Sequence, residues 1–205
     1  MKRRLSLVPA IALGIALTYS LHADTPVQTE PRPEPSPTAF ALINKGNDYV
    51  GVQSKDKVVG IDSDKSLGSL RPNIWRITYY DPDTAMKSVE VKFGGGQEME
   101  VSHPVHPLEF ARNARNGGEI LDRSKLHIDS DQALSIATDQ GLVKPLALKA
   151  TRLTLTSGDL GPVWKVELWA ARMDKPDKEV SLGTVTLSAT DGTIVRLDLH
   201  PDRVR

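Results

Sequence analysis

From residue 39 onward the chain is written in short runs of alternating apolar and polar residues, and the runs come in two similar series. The segment PNIWRITYYD at 72–81 places Trp75, Ile77 and Tyr79 on one side and Arg76, Thr78 and Tyr80 on the other. PVWKVELWAA at 162–171 does the same with Trp164, Val166 and Leu168 against Lys165, Glu167 and Trp169. A period of two is that of a strand with one buried face. Aligned on their tryptophans, the segments agree type by type: basic, β-branched, polar, large apolar, aromatic. The alternation predicts Trp75, Ile77, Trp164 and Val166 as core anchors, each tryptophan held between its own helix and its own sheet. Tyr80 and Trp169 lie five residues beyond the tryptophans, an odd number, and so face the other way.

The flanks repeat as well. A short helical pattern precedes each tryptophan strand, AFALINKGN at 39–47 and SDQALSIATDQG at 130–141. Asp129 can cap the second, with Gln132 reaching back to it, and Gly141 is a natural stop. Another strand candidate, DKVVGID at 56–62 or ATRLTLTS at 150–157, separates helix from tryptophan strand. A hairpin follows: SVEVKF and QEMEVSH around Gly94, Gly95 and Gly96, then GTVTLSA and TIVRLDLH around Asp191-Gly192, a tight-turn signal. The expected fold is α+β: two tandem units, over 38–104 and 127–205, each one helix packed on a four-stranded antiparallel sheet. Units this small and without staples should stabilise each other. Residues 105–126 form the connector, with a short helix around Leu108, Ala111 and Arg115 and the most basic stretch of the chain.

The two units resemble PepSY domains, a cystatin-like curl of sheet around a helix. In the second unit LHIDSDQALSIATDQG looks like the family's opening helix, GPVWKVELWA like its central strand and LSATDGTIVRLDL like its closing hairpin. The first unit is a degenerate copy, with a glycine triplet in place of the Asp-Gly turn. The resemblance implies an exported, non-enzymatic binding module that restrains a protease or another extracytoplasmic protein.

Ahead of these units the pattern changes. Lys2, Arg3 and Arg4 precede an apolar run over 5–21, and Ala23 fits the last residue of a signal peptide spanning 1–23. A retained anchor is the alternative, although the run is short for a membrane span and Pro9 and Gly14 weaken it as a helix. After cleavage no membrane insertion is expected, and the location is periplasmic or secreted. Residues 24–37 carry five prolines and form an extended spacer, or a docking peptide for a proline-reading domain.

Composition narrows the chemistry. The 205 residues carry 26 basic and 26 acidic side chains and no cysteine. The balanced charge and few aromatic rings argue against a nucleic-acid partner. Without thiols there are no disulfides, no thiol catalysis and no cysteine-based metal sites. No H-E-x-x-H or G-x-S-x-G motif occurs. His103 and His106 sit beside two prolines without a third ligand, and Asp62, Asp64 and Ser66 lack the glycine and glutamate of a calcium loop. The aspartates are expected in a polar turn after a strand. No catalytic residue, metal or cofactor is expected.

The candidate partner-binding residues are Tyr80, Trp169, Arg76 and Lys165. A large aromatic on the open face of a sheet usually marks an interface. Either a protein partner covers that face or the two sheets cover each other. The rival functions are a small envelope hydrolase with a scattered site and a purely structural envelope domain.

Overall fold

The structure, a computed structural model, describes residues 37–103 and 119–205. The Thr38 hydroxyl accepts from the Ala41 N–H and starts α1 (Ala39–Gly46). Four strands follow: β1 (Val58–Ser63), β2 (Ile74–Tyr80), β3 (Ser88–Gly94) and β4 (Gln97–Ser102). After a 3-10 turn at Arg123–Lys125 comes α2 (Ser130–Thr138), where Asp129 and Gln132 form a reciprocal capping box. The second series of strands is β5 (Leu148–Gly158), β6 (Gly161–Ala171), β7 (Glu179–Ser188) and β8 (Ile194–Leu199), and Pro201–Val204 closes the chain as a 3-10 turn. The signal segment, the spacer up to residue 36, the connector helix and His106 lie outside the described residues.

The strands build a single eight-stranded antiparallel sheet in the order β4-β3-β2-β1-β5-β6-β7-β8. The expectation of two units, each with its own four-stranded sheet, is therefore overturned. The two meanders meet at β1 and β5, with Ile61 opposite Leu155 and Asp62 opposite Thr154. Side chains prolong this joint. Ser63 Oγ accepts from the Leu153 N–H at 2.9 Å, and Ser66 Oγ accepts from the Thr151 N–H at 2.9 Å. Asp62 accepts from the Thr154 hydroxyl at 2.8 Å and ion-pairs with Arg152 at 2.8 Å.

The physical reason lies in the edges. A four-stranded sheet ending at β1 or β5 would present a row of unpaired N–H and C=O groups, and joining the two covers part of each row. Ser63 and Thr151 are wholly buried, and each is satisfied across the joint. The run Asp62–Ser66 is thus the seam of the sheet rather than a solvated turn.

One face of the sheet carries a continuous core, with Ile61, Ile77 and Tyr79 running into Leu153, Leu155 and Val166. Helix α1 lies against β2 and α2 against β6. The Tyr79 hydroxyl donates to the Ile43 carbonyl at 2.9 Å and ties α1 down. Gly192 sits in the β7–β8 turn at φ 76°, and a Cβ there would meet the Ile136 side chain at 2.8 Å, so glycine suits the turn that tucks under α2. The described residues fall in one compact unit, and no described helix is long and apolar enough to cross a membrane.

Candidate functional site

The two helices meet head to head at their N-termini. Asp129 Oδ1 accepts from the Ser130 N–H of its own helix at 2.6 Å and from the Phe40 N–H of α1 at 3.1 Å. Ser130 Oγ accepts from the Ala39 N–H at 3.0 Å. The first backbone donors of α1 are therefore satisfied by the capping residues of α2, where a negative charge also suits both helix dipoles. With Thr38 matched to Asp129 as N-cap, Phe40 and Asp131 occupy equivalent places.

That equivalence explains the main feature of this surface. Phe40 reaches from α1 to the other half of the sheet and stacks on Trp164, with ring centroids 6.4 Å apart and planes at 28°. The Trp164 N–H donates to the Ile128 carbonyl at 2.7 Å, and the ring is 0% exposed. Trp164 is therefore sealed partly by the helix of the opposite half, not by its own helix alone as the alternation predicted. On the other side Asp131 stands where a ring would be needed over Trp75. A pocket of about 360 Å³ is left there, floored by Trp75, Leu134 and Leu153 and walled by Pro37, Ala41 and Pro72. Trp75 keeps 4% exposure, and its indole N–H has no hydrogen-bond partner among the described residues.

Arg71 and Asp131 both line this pocket and are exposed, and neither side chain makes an ion pair among the described residues. Thr38 and Ser130 bring hydroxyls, but both already accept helix N–H groups. The arrangement offers an apolar floor with one positive and one negative group at its rim, suited to holding an amphipathic ligand. Among the described residues no group of three His, Cys, Asp or Glu side chains could hold a metal ion.

Of the residues singled out from sequence, Trp75 lines this pocket and the others fall elsewhere. Trp75, Ile77, Trp164 and Val166 are buried in the core. Arg76 and Lys165 share one cross-strand row with Asp62 and Thr154 between them, about 14 Å apart at the usual strand spacing. Arg76 is bonded to Asp64 and lies 3.8 Å from Glu90, whereas Lys165 is exposed. Tyr80 ends β2 and Trp169 lies near the end of β6, and because those strands run in opposite directions the two aromatics sit toward opposite ends of the sheet. The four do not form one patch. Trp169 is half-buried, with the Lys65 ammonium 4.8 Å from its ring centroid, and Lys65 in turn pairs with Glu179. A side chain of the first half thus covers the outer aromatic of the second.

The described histidines are dispersed. His103 is exposed at the end of β4, His127 Nδ1 lies 3.1 Å from the Thr190 carbonyl, and His200 lies 3.3 Å from Asp198. Sequence reasoning missed the pocket over Trp75. The one signal that pointed to it was a large aromatic near the start of the first helix where the second helix has an aspartate.

No family model, curated protein or solved structure matches this chain. The resemblance to PepSY domains therefore rests on the quoted segments alone.

Proposed function

We propose that this chain is a non-enzymatic binding module of the extracytoplasmic space and that it works through the pocket over Trp75. The observation that carries the reading is the broken internal symmetry: one tryptophan is sealed by Phe40, the other faces a pocket of about 360 Å³ with Arg71 and Asp131 at its rim, neither ion-paired among the described residues. An apolar recess with a few convergent polar groups is the usual form of a binding site. The hydroxyls nearest the pocket support binding over hydrolysis, since both are engaged as helix caps and no imidazole is among the described residues that line it. The export signal read in residues 1–23 supports the location.

The test uses the molecule's own plug. A photo-crosslinking residue at Ala41, exposed on the wall of the pocket, should capture a discrete partner in cells. Asp131→Phe, which sets a ring over Trp75 as Phe40 is set over Trp164, should abolish that capture. Capture that persists unchanged with the pocket plugged would sink the reading.

A further inference from the structure

The filled half of the molecule shows what the open half lacks. Over Trp164 the missing piece is a phenyl ring, supplied by Phe40 from the second helical position. Over Trp75 the same helical position holds a carboxylate, and the pocket measures about 360 Å³. A cavity of about 150 Å³ suffices for a benzene ring. The pocket therefore has room for a ring together with the backbone atoms that carry it.

The polar rim says what those atoms are. A ring entering from outside has its root beside Asp131, because in the other half the root of the ring is the equivalent residue. A cationic group on that root would meet the unpaired carboxylate. An oxygen acceptor on the same root would suit Arg71, whose side chain has no ion-pair partner among the described residues. Resting on the function proposed above, we infer that the pocket over Trp75 binds an aromatic side chain whose own α-ammonium faces Asp131 and whose carboxyl or carbonyl oxygen faces Arg71. A free aromatic amino acid has this chemistry, and so does an aromatic residue at the N-terminus of a peptide. A lone charge on a rim of this kind is ordinarily a solvated surface group. Here two charges of opposite sign, unpaired among the described residues, stand at the rim of an apolar recess whose counterpart is filled by a ring.

The experiment is calorimetric titration of the full chain with L-phenylalanine, with the tripeptide Phe-Gly-Gly, and with N-acetylphenylalanine amide, which keeps the ring but lacks the ammonium. At least one of the first two should bind; the tripeptide binding alone marks a peptide terminus, L-phenylalanine alone a free amino acid. The acetylated amide should bind at least tenfold more weakly. Asp131→Asn should weaken the productive titrant at least tenfold, Asp131→Glu should restore part of that loss, and Asp131→Phe should abolish binding while the protein still melts cooperatively. Equal binding of the acetylated amide, or indifference to Asp131→Asn, overturns the inference. So does silence from all three titrants. If plug-sensitive capture at Ala41 survives that silence, the ligand chemistry is wrong and the pocket remains the binding site. If capture ignores the plug, the functional reading itself has failed.

Discussion

The surroundings of the two tryptophans differ more than their sequences do. Trp75 and Trp164 begin matching strand patterns, face the same side of the same sheet and lie close to the same pair of helix N-termini. Around Trp164 every demand of a buried indole is met: a stacked ring above it, an acceptor for its N–H at 2.7 Å and no exposure. Around Trp75 no ring stands above it and its N–H has no partner among the described residues. One half has been completed as a core and the other left open. In a repeated architecture, the place where the copies depart from one another is where a function can reside without cost to the copy that holds the fold together.

The largest test of that contrast is the pair Trp164→Ala and Trp75→Ala. Deleting a fully buried tryptophan costs about 3–5 kcal/mol, a large share of the stability of a small domain. Trp164 also forfeits its indole hydrogen bond, worth about 1 kcal/mol, and a ring pair worth about 1 kcal/mol more. Trp164→Ala should therefore be the more damaging by about 1–2 kcal/mol in denaturant unfolding. Equal losses would mean that the Phe40 side is no better sealed than the open one.

Phe40→Ala should make the halves alike. It removes the plug and leaves Trp164 facing a recess of its own. Because Phe40 is only partly buried, the cost should fall below that of a fully enclosed phenylalanine, about 2–3 kcal/mol. The emission of Trp164 should shift to the red as water reaches it. An unshifted spectrum in an equally stable variant would show that Phe40 is not what closes that side.

How much of this could be read from the chain depends on which signal each feature leaves. The helices and strands are close to where the alternation and the capping residues put them, because a buried strand face must repeat every second residue and Asp129 with Gln132 leaves an unambiguous helix start. The continuity of the sheet was hidden. Its seam is made by Asp62, Ser63, Ser66 and Thr151, polar residues whose pattern is that of a solvated turn unless their partners on the other strand are known. The pocket was hidden for another reason. Aligning the halves on their tryptophans pairs residues 89 apart, whereas the helix caps Thr38 and Asp129 are 91 apart, so Phe40 and Asp131 are never set side by side. The likeness of Tyr80 and Trp169 was legible, but not that the opposed directions of β2 and β6 carry them toward opposite ends of the sheet.

Asp129 sharpens the comparison at the point where the halves touch. A single N-cap is worth about 0.5–2 kcal/mol, and this carboxylate accepts from N–H groups of both helices. Asp129→Ala should cost about 1–2 kcal/mol and raise amide exchange in α1 as well as α2. Thr38→Ala, which removes a long bond at 3.4 Å within α1 only, should cost about 0.5 kcal/mol. If α1 is unaffected by Asp129→Ala, the helices are capped independently and the head-to-head junction is not a shared one.

The smallest effect concerns the polar face, where the halves also differ. In the first half Glu90 stands opposite Thr78; in the second the order is exchanged, with Thr184 opposite Glu167. Glu90 is 9% exposed, and burial holds its carboxyl above the usual glutamate range despite Arg76 at 3.8 Å. A carboxyl raised on folding favours the protonated state. Its contribution to stability is fully present below the pKa of the unfolded chain and is lost as the pH rises through the folded value. Once ionised, Glu90 is therefore a modest liability. Glu90→Gln keeps the shape and removes the charge, and Arg76 retains Asp64 as a partner. The substitution should be close to neutral at pH 4 and raise stability at pH 7, by an amount no larger than about 1 kcal/mol. A loss of stability at pH 7 in Glu90→Gln would mean that the Arg76 pair outweighs burial, and that the polar faces of the two halves are more alike than their cores.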